Sequence, residues 1–266
     1  MNNLSGKVVL ITGSSMGIGK QLAREFGRKG ARLVINGRNP ERLEAARSEL
    51  SKEGLTVTAH AADVAEAEQC RALVRHAIDA FGRLDVLVNN AGLSTEEALL
   101  QEIQPQVFQQ ILSVNVLGSV YPTHFALPHL LKSRGNVLFI SSAAGLRGLP
   151  GHSPYCTSKM ALTALAESLR LELRPQGVEV GIAYLGFTEN DPQKKVLRAD
   201  GQPVPLRPRS PIPPEPVDRV ARRIVRMTET GRFKAVFSPL ARLLHLTNRF
   251  LPGMVSWILA RKHSDH

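Results

Sequence analysis

Short, uniformly apolar runs alternate with longer amphipathic stretches along most of this chain, and that rhythm restricts the fold more than any other feature. Val8–Ile11 precedes a helical pattern from Gly17 to Lys29, and Leu33–Ile35 precedes one from Pro40 to Lys52. Val57–His60 is followed by a pattern from Ala65 to Phe81, and Val86–Val88 by one from Pro105 to Leu131. The series continues with Val137–Ile140, a helix from about Ser153 to Leu173, Val178–Tyr184, a helix from about Pro216 to Thr228, and Ala235–Phe237. A strand that is apolar at every position must be covered on both faces, and crossover helices between parallel strands supply that cover. The expected fold is therefore α/β: a Rossmann-like, doubly wound parallel sheet of about seven strands flanked by helices.

A single domain over residues 1–266 is expected, since one large α/β unit accommodates this length. Two segments depart from the rhythm. Seven prolines fall between residues 203 and 216, so that stretch can be neither regular helix nor internal strand. Together with the residues from 186 onward it reads as a Pro-rich loop over a substrate. Residues 239–262 read as an apolar and basic helical extension.

The two cysteines, Cys70 and Cys156, are far apart and have no metal-ligand spacing. They build no disulfide framework, which points to a reducing, cytoplasmic setting and to no metal site. Met1–Gly6 lacks a cationic and then apolar leader pattern, so secretion is not indicated. No apolar run approaches the roughly 20 residues of a spanning helix. The net charge of +11 is unevenly placed: residues 191–266 hold 15 Lys/Arg against 6 Asp/Glu, leaving only +2 for the first 190. A basic C-terminal quarter suits solvated surface, an anionic ligand or a membrane surface better than base reading, and no nucleic-acid partner is expected.

In an open parallel sheet, ligands collect beyond the carboxyl ends of the strands, and the chemistry-bearing motifs all fall there. Thr12-Gly13-Ser14-Ser15-Met16-Gly17-Ile18-Gly19 leaves the first strand and opens a helix. Its glycines permit tight turning and close backbone approach, and the helix start offers unpaired N–H groups to a pyrophosphate. Gly13, Ser14, Ser15, Gly17, Ile18 and Gly19 are the cofactor-binding candidates. After the second strand the sequence reads Asn36-Gly37-Arg38-Asn39-Pro40. A carboxylate there would bond a ribose 2′-OH; its absence, and the presence of Arg38, favour a 2′-phosphate and hence NADP(H).

Tyr155-Cys156-Thr157-Ser158-Lys159 places a tyrosine and a lysine four apart on one helical face. A free phenol titrates near ~10, too high for an effective base at neutral pH, and a neighbouring ammonium favours the phenolate.

Taken together, these elements resemble the short-chain dehydrogenase/reductase family. The resemblance rests on Thr12-Gly13-x-x-x-Gly17-x-Gly19, Asp63, Asn89-Asn90-Ala91-Gly92, Asn115, Ser141-Ser142 and Tyr155-x-x-x-Lys159, in the family's order over about residues 6 to 190. It implies that Tyr155 exchanges a proton with the substrate oxygen, that Ser142 rather than Ser141 bonds the same oxygen, and that Lys159 lowers the tyrosine pKa and holds the nicotinamide ribose. It further implies that Asn115 organises a proton-returning water chain, that Asp63 and Val64 meet the adenine, and that Asn89, Ala91 and Gly92 line the cofactor. A homodimer or homotetramer formed through the long helices is the corresponding expectation for assembly.

The chain also departs from the family. Met16 stands where many NADP-preferring members carry a basic residue. Leu185-Gly186 replaces Pro-Gly after the sixth strand, with Thr188 still able to reach the nicotinamide amide. His124, His129 and Cys156 read as packing or surface residues rather than ligands or nucleophiles.

The C-terminal pattern runs along one helical face through Leu243, Leu244, Thr247, Phe250 and Leu251, breaks at Pro252-Gly253, and resumes through Met254, Val255, Ile258 and Leu259. Three uses are open: packing over the pocket or another subunit, peripheral membrane contact, or accommodation of a lipidic substrate. The leading expectation is an NADP(H)-dependent oxidoreductase acting on an apolar, lipid- or steroid-like carbonyl or alcohol. The alternative is a cofactor-binding regulatory or scaffold protein without turnover.

Overall fold

The computed structural model describes residues 3–206 and 213–264. The chain begins β1 (Val8–Ile11), α1 (Gly17–Arg28), β2 (Arg32–Gly37), α2 (Pro40–Lys52), β3 (Val57–Ala61), α3 (Ala67–Phe81) and β4 (Val86–Asn89). Then come α4 (Pro105–Leu112), a π turn (Ser113–Leu117), α5 (Gly118–Ser133), β5 (Asn136–Ser142), α6 (Ser153–Leu173) and β6 (Glu179–Leu185). A hairpin of β7 (Lys195–Leu197) and β8 (Pro203–Pro205) precedes α7 (Val217–Thr230), β9 (Lys234–Val236), α8 (Pro239–Phe250) and α9 (Pro252–Ser264).

Seven strands form one sheet in the order β3-β2-β1-β4-β5-β6-β9, and every pairing in it is parallel. The order reverses direction between β1 and β4, which opens a crevice at their carboxyl ends. Side chains along β1 alternate in destination although all are apolar. Val9 and Ile11 pack with Leu22 and Phe26 of α1 and Val220 and Ile224 of α7. Val8 and Leu10 pack with Leu73 of α3, Leu130 of α5 and Leu162 of α6. Each fully buried side chain of this size contributes roughly 1.5–3 kcal/mol, so helices on both faces are required by the strand sequences.

Three local readings change. The single helix expected from Pro105 to Leu131 is divided by the π turn, where the Gly118 N–H reaches back five residues to the Ser113 carbonyl. The Pro-rich segment contributes an edge strand, β8, as the proline rule allows. β7 and β8 pair antiparallel, and the hairpin is stitched to the loop after β4 by Leu197 N–H to Ser94 O (2.9 Å) and Glu96 N–H to Leu197 O (2.8 Å). Residues 207–212 of that segment lie outside the described residues. The C-terminal break falls at Leu251, and Pro252 begins α9 instead of interrupting a helix, because the first helical position needs no N–H donor.

Candidate active site

The glycine loop is held open by neighbours that the sequence separates widely. Asn36, at the end of β2, bonds outward in three directions: its Oδ1 accepts from Gly13 N–H (3.3 Å), and its Nδ2 donates to the carbonyls of His60 (3.2 Å) and Ala62 (3.1 Å). Asn90 donates through Nδ2 to Thr12 O and Gly13 O, both at 2.9 Å, while Thr12 Oγ1 accepts from the N–H groups of Asn90 and Ala91. A side chain at Gly13 would strike Ala91 Cα at 2.7 Å, and one at Gly19 would strike Gly13 O at 2.3 Å. Gly13 and Gly17 have left-handed φ values of 60° and 54°. The N-cap of α1, Met16, makes no capping bond through its side chain. The loop is thus a cradle of bare backbone at a helix start, and it suits a pyrophosphate.

Several of the expected cofactor-binding residues turn their side chains into the scaffold. Ser14 is fully buried, with Oγ donating to Ile11 O (2.7 Å) and accepting from Asn36 N–H (2.9 Å), so its side chain braces the loop. Asn89 is buried too, and its Nδ2 donates to Thr123 Oγ1 (2.9 Å) on α5. Val64 is buried under the start of α5, where a side chain at Gly118 would meet it at 2.6 Å. The side chains of these three brace the fold, which leaves their backbone atoms for any contact with a cofactor. Ile18 is half-buried against the core, and Ser15 packs on Gly37, where a Cβ would meet its Oγ at 2.9 Å.

At the end of β2, the exposed Arg38 reaches Asp63 Oδ2 (3.4 Å), which brings the two expected adenine-end residues together. Sequence reasoning missed a second cation. Arg42, in the first turn of α2, lies 3.5 Å from Met16 Sδ through Nη1, so a guanidinium stands beside the loop position that lacks a basic residue. Asn39 caps α2 by accepting from Arg42 N–H (2.7 Å) and fixes where that arginine starts. A basic residue five places after β2 carries no signal until the cap turns it toward the loop.

Asn115 sits in the π turn and is fully buried. Its Oδ1 accepts from Leu93 N–H (2.7 Å), and its Nδ2 donates to Leu93 O (2.9 Å) and Ser158 Oγ (2.9 Å). It thereby ties the loop after β4 to α6. Lys159 is 5% exposed and donates through Nζ to Ile140 O (3.0 Å), with Nζ 5.8 Å from the centre of the Tyr155 ring. Burial pushes its pKa down to about 8, and the charge of Lys194 adds to that. A Cβ at Gly92 would lie 3.3 Å from Asn115 Oδ1 and 3.5 Å from Lys159 Nζ, so bare backbone, amide and ammonium meet at one point. The adjoining serines divide: Ser141 is buried and donates to Lys159 O (3.2 Å), whereas the half-buried Ser142 caps the following turn by accepting from Ala144 N–H (3.3 Å).

Gly186 is required by contact, since a Cβ there would meet Ser238, the N-cap of α8, at 2.5 Å. Thr188 is buried, donates to Gly186 O (3.4 Å) and bridges to Glu215. Arg147, between Ser142 and Tyr155 in sequence, clasps the last two helices through Asn248 Oδ1 and Ser256 Oγ. Cys156 is buried and burial pushes its thiol pKa up, as befits packing. Among the described residues no helix is long and apolar enough to cross a membrane.

A family model described as short chain dehydrogenase matches residues 7–201. The 11-beta-hydroxysteroid dehydrogenase-like 4A protein of Arabidopsis thaliana is 40% identical over 200 residues, covering 75% of this chain and 67% of its own. The 11-beta-hydroxysteroid dehydrogenase-like 2 protein of the same plant is 35% identical over 261 residues, 97% and 82% of the two chains. Among solved structures, a short chain dehydrogenase/reductase from Burkholderia phymatum in complex with NAD shares the fold at a TM-score of 0.81, with 24% identity over 94% and 96%. A metagenomic short-chain oxidoreductase in complex with NADP has a TM-score of 0.73 and 27% identity over 89% of this chain and 97% of its own.

Proposed function

The chain belongs to the short-chain dehydrogenase/reductase family, whose fold binds a nicotinamide cofactor, and on that premise we propose that it is an NADP(H)-dependent enzyme interconverting a carbonyl and an alcohol on an apolar, steroid- or lipid-like substrate. The observation that carries the reading is the convergence of Asn115, Lys159 and the bare backbone of Gly92 beside the Tyr155 ring. The bound nicotinamide would supply or accept the hydride. Tyr155 would hand its phenolic proton to the oxygen on which charge develops, and Ser142 would donate a second hydrogen bond there. Lys159, with its ammonium near the phenol, favours the phenolate between turnovers. Asn115 would hold the neighbouring backbone and organise the water chain that returns the proton.

Two arginines support NADP(H) over NAD(H). Arg38 and Arg42 flank the mouth of the glycine loop, and a guanidinium matches a 2′-phosphate in shape and charge. An apolar substrate is supported by the exposed Phe187 in the loop after β6, by the apolar faces of α8 and α9, and by the steroid dehydrogenase names of the relatives. A homo-oligomer fits Leu117, Met160 and Leu171, exposed in the π turn and on α6.

Titration with NADPH and NADH, followed by cofactor oxidation against ketones and aldehydes of graded polarity, tests all of this. NADPH-preferring turnover on apolar carbonyls, lost in Tyr155→Phe with cofactor binding kept, is the expected result. Tight binding without turnover on any carbonyl would favour the non-catalytic alternative.

A further inference from the structure

The last two helices leave a large apolar surface in water. Leu243, Leu246 and Phe250 on α8 and Met254, Trp257 and Ile258 on α9 are all exposed, Phe250 at 72% and Trp257 at 57%. Their spacing puts the α8 residues on one stripe, with Arg242 and Arg249, seven apart, along one side of it. Arg261 stacks on Trp257 at 4.4 Å. From Pro239 to Ser264 the sequence contains no Asp or Glu.

A second observation lies next to this surface. A cavity of about 400 Å³ between α7, β9 and α8 is lined by Arg223, Arg226, Arg232 and Arg242, together with Met227, Thr230, Ala235 and Phe237. The lining holds no acidic side chain. Arg223 pairs with Glu215 (2.7 Å) and lies over the Phe237 ring. Among the described residues, Arg232 and Arg242 bond only through Nε, to the edge-strand carbonyls of Lys234 and Val236, which leaves the outer nitrogens of both guanidiniums to a ligand. Four guanidiniums around one hollow, with Glu215 compensating Arg223 alone, favour an anion among the other three, and their forked donors suit phosphate oxygens. Arg242 belongs to both the cavity and the apolar helix.

We propose that α8, α9 and this arginine cavity form one membrane-docking surface, with the apolar face seated at the acyl boundary of a leaflet and the cavity holding the phosphate of an anionic phospholipid headgroup. The lipid source, in preference to a soluble phosphate, follows from the apolar ridge that shares Arg242. The bilayer, in preference to a second protein, follows from cations and large apolar side chains with no acidic residue between them, the pattern of a helix lying in an interface. Arg147 holds this pair of helices to the loop between Ser142 and Tyr155. The proposal does not depend on the redox reading.

Trp257 is the only tryptophan in the chain and therefore reports on the surface directly. The full-length protein would be mixed with phosphatidylcholine vesicles, with and without phosphatidylglycerol, while sedimentation and tryptophan emission are followed. Anionic vesicles should sediment the protein and shift emission to the blue, less so as salt rises; neutral vesicles should do neither. Arg226→Ala with Arg232→Ala should weaken vesicle binding about tenfold while leaving NADPH binding unchanged. Leu243→Ser with Phe250→Ser should abolish the emission shift. Emission unmoved by anionic vesicles at low salt would overturn the proposal, as would vesicle binding unaffected by the arginine pair. Equal occupancy by inorganic phosphate alone would overturn the lipid source. Loss of a stable dimer in the Leu243→Ser, Phe250→Ser variant would assign the ridge to a second copy instead.

Discussion

Replacing Lys159 with methionine should make the cofactor-free protein more stable and inert. The ammonium is 5% exposed, and burial, with Lys194 adding to it, lowers its pKa from 10.5 to about 8. At about 1.4 kcal/mol per unit, holding the charge in place costs the fold roughly 3 kcal/mol at neutral pH. Methionine removes that cost and fills similar space, but it gives up the charge-assisted bond to Ile140 O, worth about 2 kcal/mol. The net gain is roughly 1 kcal/mol, or about 2–4 °C in melting temperature. Its pH dependence is equally specific. Below pH 8 the lysine is protonated both folded and unfolded, and the cost is present in full. Between about 8 and 10.5 the unfolded chain binds more protons than the folded one, so the native sequence gains stability as pH rises, and the methionine variant lacks that increment. Urea unfolding of the cofactor-free proteins at pH 7 and pH 10 measures both effects. A variant less stable than the native sequence at pH 7, or an advantage that does not shrink toward pH 10, would refute the reasoning.

Arg38→Ala and Arg42→Ala should each weaken NADPH binding about tenfold, the worth of a lost charge-assisted bond, and leave NADH binding unchanged; calorimetric titration with both nucleotides reads the difference. Gly19→Ala forces a Cβ to within 2.3 Å of Gly13 O and 2.5 Å of Asn90 Nδ2, and should weaken either cofactor at least about tenfold in the same titration. Asp85 is buried beside Arg83, Val8 N–H and Lys7; burial pushes its carboxyl pKa up, but these three partners outweigh that and hold it below 3.8. Its contribution is therefore present above pH 3.8 and fades as pH falls through the lower folded value. Asp85→Asn should cost about 1–2 kcal/mol at pH 7 by urea unfolding, since Lys7 and Arg83 stay solvated, with the difference narrowing in acid.

The sheet was legible because its information is local. Strands such as Val8–Ile11 are apolar at each position, and only helices on both faces can bury them, so a parallel, doubly covered sheet and the carboxyl-edge location of the site follow from the order of patterns, while the strand order came from the fold. Gly13, Gly17 and Gly19 were legible for a similar reason, since bare backbone between a strand and a helix has few other uses. The supports were not. Asn36 and Asn90 act 23 and 77 residues away from the Gly13 they bond, and no pattern within the sequence marks such a partner.

What the sequence by itself determined is the kind of chain this is: an alternating α/β sheet with glycine loop, Arg38, Asn115, Ser142, Tyr155 and Lys159 in the order of one family. Tertiary structure decided which way each polar side chain faces. Ser14 turns inward because its hydroxyl finds both an acceptor and a donor there, and the Asn89 amide turns inward to donate to Thr123. Folding also brought Arg42 to the loop that lacks a basic residue and gathered four arginines from α7, α8 and the turn before β9 around one cavity. Residue type and spacing fix secondary structure through short-range sterics and burial, but the direction of a side chain is set by neighbours that only the packed fold supplies.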